Sequence, residues 1–239
     1  MASILAIETS TPACSVALSV DGARFSRYSE EPRSHTRLIM TMIDEVLAEA
    51  GLKIADLDAL AVSIGPGSFT GLRIGFATVQ GLAFGADLPV IPVSTLEVMA
   101  QTYQRKHASN TDLATLKQSA VVMAVLDARM GEFNCGAYQL NSSGQFEAVT
   151  NDQLLGQTSA LEMIDNMAPQ VIVGDVAALL DDKDSQQLAH QQLYPDAIDL
   201  LDIALSTPTR HKPVPVTAVE LVYLRGTEAW KKHTKLRAG

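Results

Sequence analysis

The chain has 239 residues, 47% hydrophobic and 19% charged, enough for one sizeable core or two small ones and too apolar for a disordered segment. Its 18 basic and 27 acidic side chains leave a net charge of −9, which excludes a broad basic footprint for nucleic acid or anionic membrane, so any RNA would need a local patch. Two cysteines, Cys14 and Cys135, exclude a disulfide framework and, with no leader at MASILAIETS and no long unbroken apolar stretch, fit a cytoplasmic protein with no membrane association.

Ser3 to Ile7 and Ser15 to Val20 are β-prone runs joined by a Thr, Ser and Pro turn. Asp21-Gly22 turns the chain again before Ala23 to Tyr28, which predicts a three-stranded meander. Leu38 to Ala50 repeats apolar residues at helical spacing and stops at Gly51, placed as the residue after a helix C-cap. Ala59 to Ile64 reads as a buried strand, Thr70 to Gly85 as a glycine-rich helix and Leu88 to Val93 as another strand. Ser94-Thr95-Leu96-Glu97 reads as a capping box opening a helix that runs to about Arg105. This order predicts an α/β lobe over residues 1–105.

Residues 106–118 are polar and unpatterned, a connection to a second lobe at 119–239. There the opening pattern returns. Val121 to Leu126 ends in Asp127 as Ile4 to Ile7 ends in Glu8, and is followed by a turn, a strand from Phe133 to Leu140, a Ser142-Ser143-Gly144 turn and a third strand near Phe146. A recurring meander implies duplication, although the residues themselves differ. A helix at Ser159 to Met167, a strand at Val171 to Val173 before Gly174-Asp175, and helical segments near Ser185 to His190 and Ala197 to Leu205 complete the lobe. The tail turns basic, with Trp230-Lys231-Lys232-His233 on an expected terminal helix, either a solvated face or a contact for RNA or a partner.

Gly65-Pro66-Gly67-Ser68-Phe69-Thr70-Gly71-Leu72-Arg73-Ile74-Gly75 is the most distinctive segment. As a phosphate cradle it lacks the Gly-Lys-Ser/Thr of a P-loop and the spacing of a dinucleotide turn, so it reads as a tight turn into a helix whose glycines admit a close neighbour. On both helices the apolar and small-residue stripes are wider than one sheet can cover, about 200° on the first. Leu38, Met40, Met42, Ile43, Gly71, Leu72, Gly75 and Phe76 are the expected partner interface, the alternative being that both helices are sandwiched inside one core.

Catalytic constellations are scarce. The five histidines contain no HxxxH or HExxH pair, and His35 reads as a polar residue at a helix start. Glu8 and Asp127 at strand ends are a candidate carboxylate pair facing across a cleft, or ordinary turn residues. No catalytic, cofactor or metal residue is assigned.

The segments ILAIETSTPACSVAL at 4–18, PRSHT at 32–36, SIGPGSFTGLRIG at 63–75, LPVIPVSTLEVMA at 88–100, DARMGEFNCGAY at 127–138 and VYLRGTEAWKK at 222–232 resemble the TsaB (YeaZ) family. The resemblance implies two RNase H-like lobes of the actin, sugar kinase and heat-shock ATPase (ASKHA) class. It also implies a required non-catalytic subunit in the synthesis of threonylcarbamoyladenosine in tRNA, the modification of the adenosine 3′ to the anticodon. Its partners would be the catalytic paralogue TsaD, the ATPase subunit TsaE, tRNA through the complex, and a second copy when the paralogue is missing. The paralogue carries a paired-histidine metal motif where this chain has only His35, and the turn Glu8-Thr9-Ser10-Thr11-Pro12 has no glycine to admit a phosphate. The competing class is a stand-alone ASKHA phosphotransferase or a metallopeptidase-like enzyme.

Overall fold

The computed structural model describes residues 2–107, 119–180, 188–207 and 209–225. The first sheet contains β1 (Ile4–Glu8), β2 (Cys14–Val20), β3 (Ala23–Ser29), β4 (Ala59–Ser63) and β5 (Val90–Val93), in the order β3-β2-β1-β4-β5. β1, β2 and β3 pair antiparallel as the expected meander, whereas β4 and β5 run parallel to β1 after the crossover helices α1 (His35–Ala50) and α2 (Phe69–Ala86). Gly51 ends α1 at φ 70°, a left-handed conformation that glycine adopts without strain.

After α3 (Thr95–His107) comes the second sheet. It is built by β6 (Val121–Arg129), β7 (Glu132–Leu140), β8 (Phe146–Ala148), β9 (Gln153–Gly156), β10 (Val171–Gly174) and β11 (His190–Gln191), with α4 (Gln157–Met167) between β9 and β10 and α5 (Ala197–Ser206) after β11. Its order, β8-β7-β6-β10-β11, repeats that of the first sheet, with β9 added alongside β7. Here too the first two strands are antiparallel and the next neighbour is parallel. The recurrence of the opening pattern is thus a recurrence of topology.

Strand alternation decides what covers each face. Leu5, Ile7, Val16 and Leu18 point toward α1 and α2, where Ile39, Ile43, Val46 and Val79 meet them. Ile4 and the small residues Ala6, Ala17 and Ala61 point the other way and leave room for Leu200 and Leu201 of α5. In the second sheet Val122, Ala124 and Leu126 pack on Leu96, Met99 and Tyr103 of α3, while Met123 and Val125 face Met163 and Ile164 of α4. The covering helices therefore cross over: α3 from the first half covers the second sheet, and α5 from the second half covers the first. They meet where Arg105 bonds Asp199 Oδ1 at 2.7 Å and Asp196 Oδ2 at 2.7 Å. The first sheet lies within residues 4–93 and the second within 121–191, while the helices that cover them are exchanged.

Three local expectations are corrected. Ser94 accepts from Leu96 N at 3.2 Å, but Glu97 turns away to Arg210 and His211, so no capping box forms. His190 lies in strand β11, pairing with Ile172, rather than in a helix. Asp127 sits within β6, beside a register shift between Asp127 and Arg129, instead of ending it. Of the expected connection at 106–118, residues 106 and 107 continue α3; the rest of it, residues 185–187 of the expected Ser185 to His190 helix, and the terminal helix around Trp230 fall outside the described residues.

Candidate functional site

The glycine-rich segment opens α2 against the β1–β2 turn. Ser68 N donates to Ser10 O at 2.7 Å, and Thr9 Oγ1 donates to Gly71 O at 2.9 Å. A Cβ on Gly67 would collide with the Ser10 carbonyl oxygen, one on Gly71 with the Thr9 carbonyl oxygen, and one on Gly75 with Thr9 Oγ1. The close neighbour that these glycines admit is the chain's own turn, and Ser68 Oγ further accepts from Gly71 N at 3.2 Å. In the second lobe Gly174, at φ 108°, is pressed against Val125 O and the Met99 side chain. The close contacts that these glycines of both lobes allow are made by protein atoms of the chain itself.

Glu8 and Asp127 are each engaged by other partners. Glu8 is fully buried; its Oε1 accepts from Ser10 N at 2.6 Å and Ser10 Oγ at 2.5 Å, and Ser63 Oγ donates to its Oε2. Burial raises its pKa, opposed by those serine hydrogen bonds. Asp127 instead accepts from Arg129 N at 2.7 Å and pairs with the Arg129 guanidinium. His35 is the first residue of α1, and its Nε2 lies 2.9 Å from Thr11 O and 3.1 Å from Ala13 O, placing its N–H on the carbonyls of the same β1–β2 turn. No group of three or more His, Cys, Asp or Glu side chains among the described residues is arranged to hold a metal.

The expected partner residues divide into two sets. Met42, Ile43, Gly71, Leu72 and Gly75 are buried in the first lobe's own core, which corrects their assignment to an outward stripe. Met40 is 46% exposed, and Leu38 and Phe76 are partly buried against the core. Phe84, 66% exposed near the end of α2, was not anticipated and extends the open apolar surface of that helix. No helix among the described residues is long and apolar enough to cross a membrane.

Two tertiary anchors also escaped the sequence reading. Buried Glu97 pairs with Arg210 and lies 3.2 Å from His211 Nε2, fastening the segment after α5. Asp152, its pKa raised by burial, accepts from Ser94 Oγ and Tyr138 Oη at 2.5 Å each. Both depend on residues far apart in sequence, with no local spacing to reveal them.

A family model described as TsaD, tRNA N6-adenosine threonylcarbamoyltransferase, matches residues 29–191. The tRNA threonylcarbamoyladenosine biosynthesis protein TsaB of Escherichia coli strain K12 is 39% identical over 234 residues, covering 96% of this chain and 97% of that protein. The Haemophilus influenzae protein of the same name is 34% identical, covering 96% of each chain. Among solved structures, YeaZ from Pseudomonas aeruginosa superposes with a TM-score of 0.78 at 33% identity, covering 94% of this chain and all of that one. The two matching sheets are RNase H-like lobes of the ASKHA class, and with relatives aligned nearly end to end, this chain belongs to the TsaB (YeaZ) family.

Proposed function

We propose that the chain is a required non-catalytic subunit in the tRNA modification that places a threonylcarbamoyl group on the adenosine 3′ to the anticodon. It acts by pairing with the catalytic TsaD-type paralogue. The names of its relatives and the threonylcarbamoyltransferase model support the reaction. The observation that carries the subunit role is the inward use of polar groups where relatives of this fold class bind nucleotide or metal. Thr9 and Ser10 bond the start of α2, Glu8 is consumed by serines, and His35 is spent on two carbonyls.

The paralogue would dock on the outer side of α1 and α2, around Leu38, Met40, Phe76 and Phe84. A second copy would take the same surface when the paralogue is absent. The TsaE-type ATPase and tRNA would join through the pair, in the cytoplasm. Mixing the chain with its paralogue and following sedimentation together with tRNA modification tests the proposal. A stable heterodimer, active only with both chains present, is the expected result. A monomer that binds Mg-ATP or Zn²⁺ at micromolar concentration and turns over alone would instead support the stand-alone enzyme.

A further inference from the structure

At the mouth of α2 three exposed side chains stack. The Arg73 guanidinium carbon lies 3.7 Å from the centroid of the Phe69 ring, Phe69 and Tyr223 have centroids 5.4 Å apart, and Arg73 Nε donates to Tyr223 Oη at 3.3 Å. Phe69 is 52% and Tyr223 42% exposed, which gives back apolar area that burial would stabilise. Most arginines among the described residues pair with carboxylates, Arg27 with Glu45 and Arg225 with Glu132 for example; Arg73 pairs with none of the described ones. In a chain of net charge −9, a guanidinium laid on a ring without an anion is a local exception.

The residues on either side of Tyr223 are tied to both lobes. Val222 N donates to Ile64 O at 2.8 Å, and Arg225 Nη2 donates to Ala128 O at 3.0 Å and Arg129 O at 2.9 Å. These ties anchor the backbone that carries Tyr223, while its ring meets Phe69 and its hydroxyl accepts from Arg73, so part of the ordering that a stacked ligand requires is already in place.

We infer that Phe69, Arg73 and Tyr223 form a contact for unpaired RNA, stacking a base on the exposed rings or guanidinium and placing a phosphate on Arg73. Aromatic faces and guanidinium planes accept any base, and Arg73, which has no carboxylate partner among the described residues, places a positive charge beside them. Ser68 and Thr70 flank Phe69 with hydroxyls, which suits a nucleic acid edge better than the apolar surround of a protein anchor. The inference rests on the proposed function in taking the RNA to be the tRNA substrate.

The test is fluorescence anisotropy of a labelled, unmodified tRNA transcript titrated with the complex of this chain and its paralogue at several salt concentrations. Arg73→Glu should weaken binding about tenfold or more and lower the log–log salt slope by about 0.7 to 0.9. Phe69→Ala should weaken it about five- to tenfold with the slope retained, and Phe69→Tyr should bind as the unsubstituted complex does. Circular dichroism melts and sedimentation of each variant check that fold and assembly are kept. Equal affinity in all variants would overturn the RNA contact and leave the subunit role standing. Loss of assembly in the same variants would overturn it in favour of a protein-docking surface. Absence of tRNA binding by the unsubstituted complex would overturn both.

Discussion

The hydroxyl of Thr9 donates to the carbonyl of Gly71 at 2.9 Å, and the same oxygen occupies the space that a Cβ on Gly75 would need. One turn residue thus sets how closely α2 approaches β1. Gly71→Ala and Gly75→Ala should each cost about 1–3 kcal/mol, a fall in melting temperature of several degrees. The two should respond differently to Thr9→Ala. Removing Oγ1 relieves the Gly75→Ala collision, so that double variant should melt above Gly75→Ala alone. Gly71→Ala meets the Thr9 main-chain carbonyl, which Thr9→Ala leaves in place, and should show no recovery.

Met40 and Met42 lie two residues apart on α1 and should behave oppositely. Met42 is 7% exposed, so Met42→Asp buries an unpaired carboxylate and should unfold or strongly destabilise the monomer. Met40→Asp should leave the melt unchanged while weakening association with the paralogue. Analytical ultracentrifugation beside a circular dichroism melt separates these outcomes.

Burial holds the Glu8 carboxyl above its ordinary pKa of 4.5. The folded state therefore keeps a proton that the unfolded chain releases, and the stability this contributes is present below pH 4.5 and lost as pH rises through the folded pKa. Glu8→Gln retains an acceptor for Ser10 and removes the titration. Its unfolding free energy should consequently fall less steeply than the parent's as pH rises from about 4.5 toward neutrality, by at most about 1.4 kcal/mol per pH unit. Parallel slopes in urea titrations would contradict this.

Cys14 and Cys135 are both fully buried, and desolvation raises their thiols to about 11 and about 12. Neither should react appreciably with a disulfide reagent at pH 8 in the folded chain, and both should react promptly in denaturant.

Much of the fold was legible because its causes are local. Helical spacing from Leu38 and the stop at Gly51 defined α1, and Asp21-Gly22 defined the hairpin between β2 and β3. The small residues of α2 correctly announced a close approach. Their pattern says only that something comes near, and here it is Thr9, more than sixty positions earlier and in the same lobe. Ser94 to Glu97 looked like a capping box because spacing cannot show that Arg210, far along the chain, competes for the Glu97 carboxylate. The exchange of α3 and α5 between sheets was equally hidden: an apolar stripe records that a face is buried, not which sheet buries it.

Single-turnover threonylcarbamoyl transfer to tRNA in the reconstituted complex, using His35→Gln, separates a partner subunit without catalytic groups of its own from a chain that takes part in the chemistry. Glutamine can still donate to the Thr11 and Ala13 carbonyls that His35 meets, so assembly should be kept. Transfer should stay within about threefold of the parent complex, a difference of about 1 kcal/mol or less in the barrier, and this chain alone should transfer nothing. A fall of a thousandfold or more with the complex intact, or transfer by the isolated chain, would contradict the partner-subunit role.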